Sequence, residues 1–194
     1  MEKVVIAFSR SASFFQMCAD KVKECSVSHH ITTIQKDGVN LNKEEVTNSL
    51  VSNEDPIVFA VFCHGNCYGF GNDDGNYFID CRDTTLYRLA NDVVYSCACE
   101  SGSNDMVSNM VSKGIKVYWG YDCEFTYFNE DDYAEAVVSG LISMLEGNPL
   151  KSAKETLVAS MTDYANRQTS AIKAGFVYDN IDKLTAFGPD DFVL

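Results

Sequence analysis

Ile57-Val58-Phe59-Ala60-Val61-Phe62-Cys63 runs directly into His64-Gly65, and Val93-Val94-Tyr95-Ser96-Cys97 runs into Ala98-Cys99-Glu100-Ser101-Gly102. Continuous runs of β-branched and aromatic residues suit strands buried on both faces of a parallel sheet. In open α/β sheets the reactive groups collect at the carboxyl ends of the strands. If these two strands are neighbours, an imidazole and a thiol reach the same rim. That is the minimum equipment for a cysteine nucleophile served by a histidine base.

The same alternation of strands and helices extends to both sides. Val4 to Phe8 reads as a short buried strand, and Ser11 to Glu24 has helical spacing with Phe14, Phe15, Cys18 and Val22 near one face. His30 to Gln35 alternates like a second strand, with His29 and His30 at its opening. Asn42 is placed to cap a helix that carries Glu44 and Glu45 in its first turn and ends at Leu50. Asp55-Pro56 is expected to start the third strand. Gly69 to Asp80 reads as a small hairpin, because Asp74-Gly75 is a strong turn signal. A short helix is expected around Thr84 to Ala90, another over Asn104 to Lys113, and two longer ones over Glu130 to Leu145 and Pro149 to Arg167. Ile115 to Gly120 is the fifth strand, and Gly175 to Tyr178 and Lys183 to Phe187 read as terminal strands. Strands alternating with helices imply βαβ units and a mostly parallel sheet.

The 194 residues are expected to form one domain, 1–194. Their formal net charge of −13 argues against a nucleic-acid partner, whose backbone would repel them. No apolar run approaches the length that spans a membrane. Met1-Glu2-Lys3 is followed at once by an apolar strand and is too short for a signal peptide. Eight cysteines without an export signal argue for a reducing compartment, so a cytoplasmic location is expected.

His64 differs from the other two histidines because a glycine follows it at a strand end. Glycine lets the backbone approach a ligand closely, and the Gly65 N–H with that of Cys99 would make an oxyanion hole. The plainer alternative is a strand-to-turn junction with a buried histidine. Cys99 stands where a strand gives way to a loop and then a helix, a setting in which thiolate is favoured. Cys97, two residues earlier on the same face, is its competitor for the nucleophile. A phosphatase-type loop would need an arginine six positions after the cysteine, and Asp105 stands there instead. A zinc site is a further alternative, since Cys63, His64, Cys67, Cys97 and Cys99 could all lie near one rim. Ser9-Arg10-Ser11-Ala12-Ser13 is similar, weakly, to a flavodoxin-type phosphate loop, which makes a flavodoxin-like nucleotide binder a rival reading.

Phe62-Cys63-His64-Gly65 followed by Ser96-Cys97-Ala98-Cys99-Glu100-Ser101-Gly102 resembles the caspase-like cysteine peptidases. This superfamily (clan CD) includes caspases, gingipains, clostripain-like enzymes, separase and CHAT domains, and the second motif is close to the form common in CHAT domains. Downstream, Gly114 to Tyr121 looks like the family strand that follows the cysteine. Phe128 to Ala153 resembles the family's helix, Gly-Asn-Pro-Leu turn and succeeding helix, and Asn180 to Phe192 its closing strand. The histidine precedes the cysteine, the reverse of the papain order. Clostripain-like and gingipain-like enzymes often carry an acidic residue just upstream of the nucleophile, where this chain has Ser96 and Cys97.

The resemblance implies an α/β three-layer sandwich, a mostly parallel caspase-like sheet flanked by helices. It implies a thiol protease in which Cys99 attacks and His64 serves as base, acting on a polypeptide substrate without metal or cofactor. An inactive interaction module of the same fold is the alternative. The carboxyl end of the fifth strand should border the nucleophile, so Tyr121, Asp122 and Glu124 are expected to form a pocket for a Lys or Arg side chain. Arg10, placed roughly where caspases carry an arginine, would instead favour an acidic one.

Overall fold

Four apolar strands with two faces to bury lie side by side and parallel, with a more polar parallel strand at one edge. In the computed structural model, which describes residues 3–50, 57–83 and 93–194, the apolar four are β1 (Lys3–Phe8), β3 (Ile57–Phe62), β7 (Val93–Ser96) and β8 (Val117–Tyr121), and the edge strand is β2 (Thr32–Asp37). A sixth strand, β9 (Leu184–Phe187), closes the β8 edge in the antiparallel sense, giving the order β2-β1-β3-β7-β8-β9. Three short strands, β4 (His64–Asn66), β5 (Gly69–Gly71) and β6 (Tyr77–Asp80), form a separate antiparallel sheet that leaves the end of β3.

Alternate residues of the parallel strands face opposite ways, and each set has its own cover. Val4, Ile6, Phe8, Ala60, Phe62, Tyr95, Cys97 and Trp119 share one core with α1 (Ser13–Ser28), α4 (Asp131–Leu145) and α5 (Leu150–Asn166). Val5, Ala7, Phe59, Val61, Cys63, Val94, Ala98 and Tyr118 share a second core with α2 (Lys43–Leu50), α3 (Asn104–Ser112) and the small sheet's Phe70, Phe78 and Ile79. The result is three layers, helix on sheet on helix. Each fully buried large side chain contributes about 1.5–3 kcal/mol by leaving water.

Local signals set the boundaries. Asn42 Oδ1 accepts the Glu45 N–H at 3.0 Å and starts α2. Ser103 accepts from Met106 and starts α3, which ends before Gly114 at φ +94°. Gly75, at φ +78°, makes the turn between β5 and β6. The expected start of β3 at Asp55-Pro56 and the helix over 84–90 lie outside the described residues.

Two expectations fail. Gly175 to Tyr178 is not a strand but the middle of α6 (Ala171–Asp182). Ser170 caps that helix, and Ala174, Val177 and Ile181 recur at helical spacing against the core. Nor do His29 and His30 open a strand. His29 caps the end of α1 and His30 takes a left-handed conformation, φ +58°, so that β2 begins at Thr32. His29 Nδ1 lies 3.0 Å from the Cys25 carbonyl, a helix-end bond.

Among the described residues no helix is long and apolar enough to cross a membrane. All eight cysteines are free thiols.

Candidate active site

β3 and β7 are parallel neighbours, paired up to Val61 with Ser96, and the Cys97 N–H donates to the Val61 carbonyl at 2.9 Å. Three residues beyond that last pair on each strand stand His64 and Cys99. The strand ends are in direct contact. A Cβ on Gly65 would lie 2.7 Å from the Ala98 Cβ and 3.4 Å from the Cys99 carbonyl oxygen. Any side chain at Gly65 would therefore push the histidine segment off the cysteine segment, which is the physical reason for glycine here.

The loop after Cys99 is held equally closely. Glu100 adopts φ +51°, uncommon for a residue with a side chain. Its N–H donates to the Cys123 carbonyl at 2.8 Å, and the Gly102 N–H donates to the Tyr121 carbonyl at 2.9 Å. A Cβ on Gly102 would meet Tyr121 backbone at 2.8 Å, so the loop lies against β8 backbone to backbone. Sharp backbone geometry of this kind gathers where a side chain must be aimed.

His64 is exposed at the rim. Its ring meets Phe15 edge-on, centroids 5.6 Å apart, and its Nε2 lies 2.8 Å from Ser11 Oγ. Ser11 Oγ is 2.6 Å from the buried Ser9 Oγ, which also accepts the Ser11 N–H at 3.1 Å. Ser9 in turn donates to Asp73 Oδ1, and the Arg10 N–H donates to Asp73 Oδ2 at 3.2 Å. Asp73 comes from the hairpin between β5 and β6. Sequence reasoning read that hairpin only as a turn, and the serines only as a weak phosphate loop. Two hydroxyls at a strand end were the available signal, but their acidic partner stands 64 residues from Ser9.

Cys97 and Cys99 lie on the same side of the sheet. Cys97 is 1 % exposed and burial holds its thiol far above the usual range. Cys99, one step further out, is half-buried. Its thiol is also raised by burial, with Glu124 and Glu100 adding to the rise and the Phe125 N–H opposing it. The expectation that thiolate is favoured at this strand end is not met, because burial outweighs the Phe125 N–H. A base beside Cys99 has a task to perform.

The expected pocket residues separate. Asp122 and Glu124 are exposed after β8, at the cysteine end of the rim. Tyr121 is withdrawn from any pocket: it is 1 % exposed, packed at a tilt against Phe125 with ring centroids 4.5 Å apart, and directed to Met161. Its place at the last residue of β8 turns it into the helix-side core. Arg10 lies at the opposite end of the rim, where its guanidinium holds Asp37 through Nε and Nη2, at 3.1 and 2.8 Å. The Asp122–Phe128 loop is fixed from behind by buried Asn180. Asn180 donates to the Thr126 carbonyl at 2.7 Å and to the Tyr133 hydroxyl at 2.8 Å, and it accepts the Thr126 N–H at 3.2 Å.

The rival site chemistries lose their geometry. Cys63 and Cys97 belong to cores on opposite faces of the sheet. Among the described residues no group of three or more His, Cys, Asp or Glu side chains is placed to hold a metal. The β2-β1-β3-β7-β8 order is that of flavodoxin-type sheets. Yet a carboxylate, Asp73, occupies the Arg10 N–H that a phosphate would need.

The fold recurs in a known structure. The chain superposes on the Arg-specific cysteine proteinase gingipain R with a TM-score of 0.72 and 9 % sequence identity. The match covers 99 % of this chain and 47 % of that one, so this chain spans about half the length of the gingipain chain. The fold is a caspase-like α/β sandwich, its mostly parallel six-stranded sheet flanked by helices. No protein-family model matches the sequence, and no curated protein matches it.

Proposed function

We propose that this chain is a caspase-like cysteine endopeptidase whose dyad is His64 and Cys99. The observation that carries the proposal is the contact of Gly65 with Ala98 and Cys99, which puts an exposed imidazole and a half-buried thiol at one rim of this fold. His64 takes the thiol proton, and the sulfur attacks the scissile carbonyl carbon. The Gly65 and Cys99 N–H groups stabilise the oxyanion. Collapse breaks the C–N bond, the amine leaves with the proton from His64, and water hydrolyses the thioester.

The favoured substrate carries a basic side chain at the cleavage position. Glu124 stands near enough to Cys99 to raise its thiol, so a carboxylate borders the nucleophile, and Asp122 is exposed two residues earlier in the same loop. Arg10 is already paired with Asp37, which weakens the case for an acidic substrate. That gingipain R is Arg-specific is in keeping with this reading.

A positional-scanning peptide library tests both parts. Cleavage after Arg or Lys is expected. It should fall by roughly 10²–10⁴ in His64→Ala, the scale of a lost general base, and disappear in Cys99→Ala. His64→Ala should fold normally, because an exposed rim side chain leaves no cavity. Cleavage that survives Cys99→Ala overturns the mechanism, and no cleavage at all supports an inactive binding module. Cleavage after Asp promotes Arg10 over Glu124.

A further inference from the structure

We propose that Ser11, Ser9 and Asp73 form a hydroxyl relay that fixes His64 as the Nε2–H tautomer and leaves Nδ1 bare to accept a proton. The argument is a count of hydrogens. A carboxylate only accepts, so the single Ser9 hydroxyl hydrogen goes to Asp73. Ser9 Oγ can then only accept across its 2.6 Å contact with Ser11, and the hydrogen in that contact is the Ser11 hydroxyl's own. Ser11 has none left for the ring. At 2.8 Å from His64 Nε2 its oxygen must accept, and the donor is Nε2–H. The Ser11 N–H to Ser9 bond and the Arg10 N–H to Asp73 bond hold the chain in this direction.

The imidazole is thus oriented through two serines by an acid on a separate hairpin. Ser11, Ser9 and Asp73 act through His64, and they are positioning residues. Nδ1 is left as the nitrogen that serves Cys99. That last step rests on the proposed peptidase reading, whereas the tautomer does not.

Nitrogen-15 shifts of the histidine rings read the tautomer directly, at alkaline pH where a histidine is neutral. With only three histidines in the chain, His64→Ala assigns its signal. The protonated nitrogen of His64 is expected to be Nε2. His29, whose Nδ1 faces a carbonyl, is expected to show the opposite tautomer. Ser11→Ala should erase the His64 preference, and Ser11→Thr, which keeps the hydroxyl, should restore it. Asp73→Asn brings a donor to the end of the relay and lets it run backwards, so the Nδ1–H form should grow. A wild-type Nδ1–H tautomer, or one indifferent to Ser11→Ala, overturns the proposal. In peptide hydrolysis Ser11→Ala should lower kcat about tenfold, one oriented hydrogen bond's worth, with KM little changed. Activity absent with the tautomer as stated would sink the peptidase reading alone. Activity present with the wrong tautomer would sink the relay alone.

Discussion

Cys97 and Cys99 stand two residues apart on one side of the sheet and meet different surroundings. The first is sealed among the helices, and the second stops half-way out, against the Phe125 N–H. Iodoacetamide at neutral pH should therefore modify Cys99 before Cys97, as mass spectrometry of the two would show. Because burial raises the Cys99 thiol, its labelling should slow in His64→Ala and recover as pH is raised. Prior labelling of Cys97 would reverse the assignment. Sequence alone named both thiols and the histidine, because each ends a run of apolar residues. It misjudged the ionisation of Cys99, since desolvation depends on neighbours such as Glu124 that approach only in the fold. Tyr121 was misjudged for a similar reason. Aromatic character next to acidic residues suits a pocket wall, but the strand's pleat decides which way the ring points.

At the level of elements, α6 is what the sequence concealed and what the site depends on. Gly175 and the aromatic and β-branched residues Phe176, Val177 and Tyr178 read locally as a strand; the Ser170 cap and the helical recurrence of Ala174, Val177 and Ile181 against the core decide for helix. Its buried Asn180 spends three hydrogen bonds on Thr126 and Tyr133, and so holds the loop that carries Asp122 and Glu124. Asn180→Leu should cost roughly 2–3 kcal/mol in urea unfolding, because it strands buried donors and acceptors. It should also impair cleavage of basic substrates more than Ser11→Ala impairs their binding. A loss below about 0.5 kcal/mol would mean that the loop is not anchored there. The inner parallel strands β1, β3, β7 and β8, by contrast, were legible almost residue by residue. Burial on both faces leaves an unbroken apolar run, and that is visible without knowing what covers it.

For the molecule as a whole, the interior is rich in groups that resist losing a proton. Burial raises the thiols of Cys18, Cys63 and Cys97 and the hydroxyls of Tyr95, Tyr118, Tyr121 and Tyr133. The unfolded chain would release those protons from about pH 8.5 for cysteine and about pH 10 for tyrosine. Above these values the unfolded state binds fewer protons than the folded one, so stability falls as pH rises. The urea midpoint should be level near neutrality and drop progressively above about pH 8.5, steepening near pH 10. A midpoint unchanged up to that point would show that these groups ionise as easily inside the fold as outside it.

The Asn180 anchor also has a consequence in time. Ser9, His64, Asp73 and Cys99 all leave the ribosome early, but the Thr126 backbone waits 54 residues for its partner, and the Asp122 N–H waits for the Lys183 carbonyl. The exposed side of β8 stays bare until Leu184–Phe187 is made. A nascent chain therefore holds His64 and Cys99, the pair proposed to react, well before it holds the anchored Asp122–Phe128 loop. In the peptidase proposed above, order of synthesis would delay cleavage until that loop is anchored.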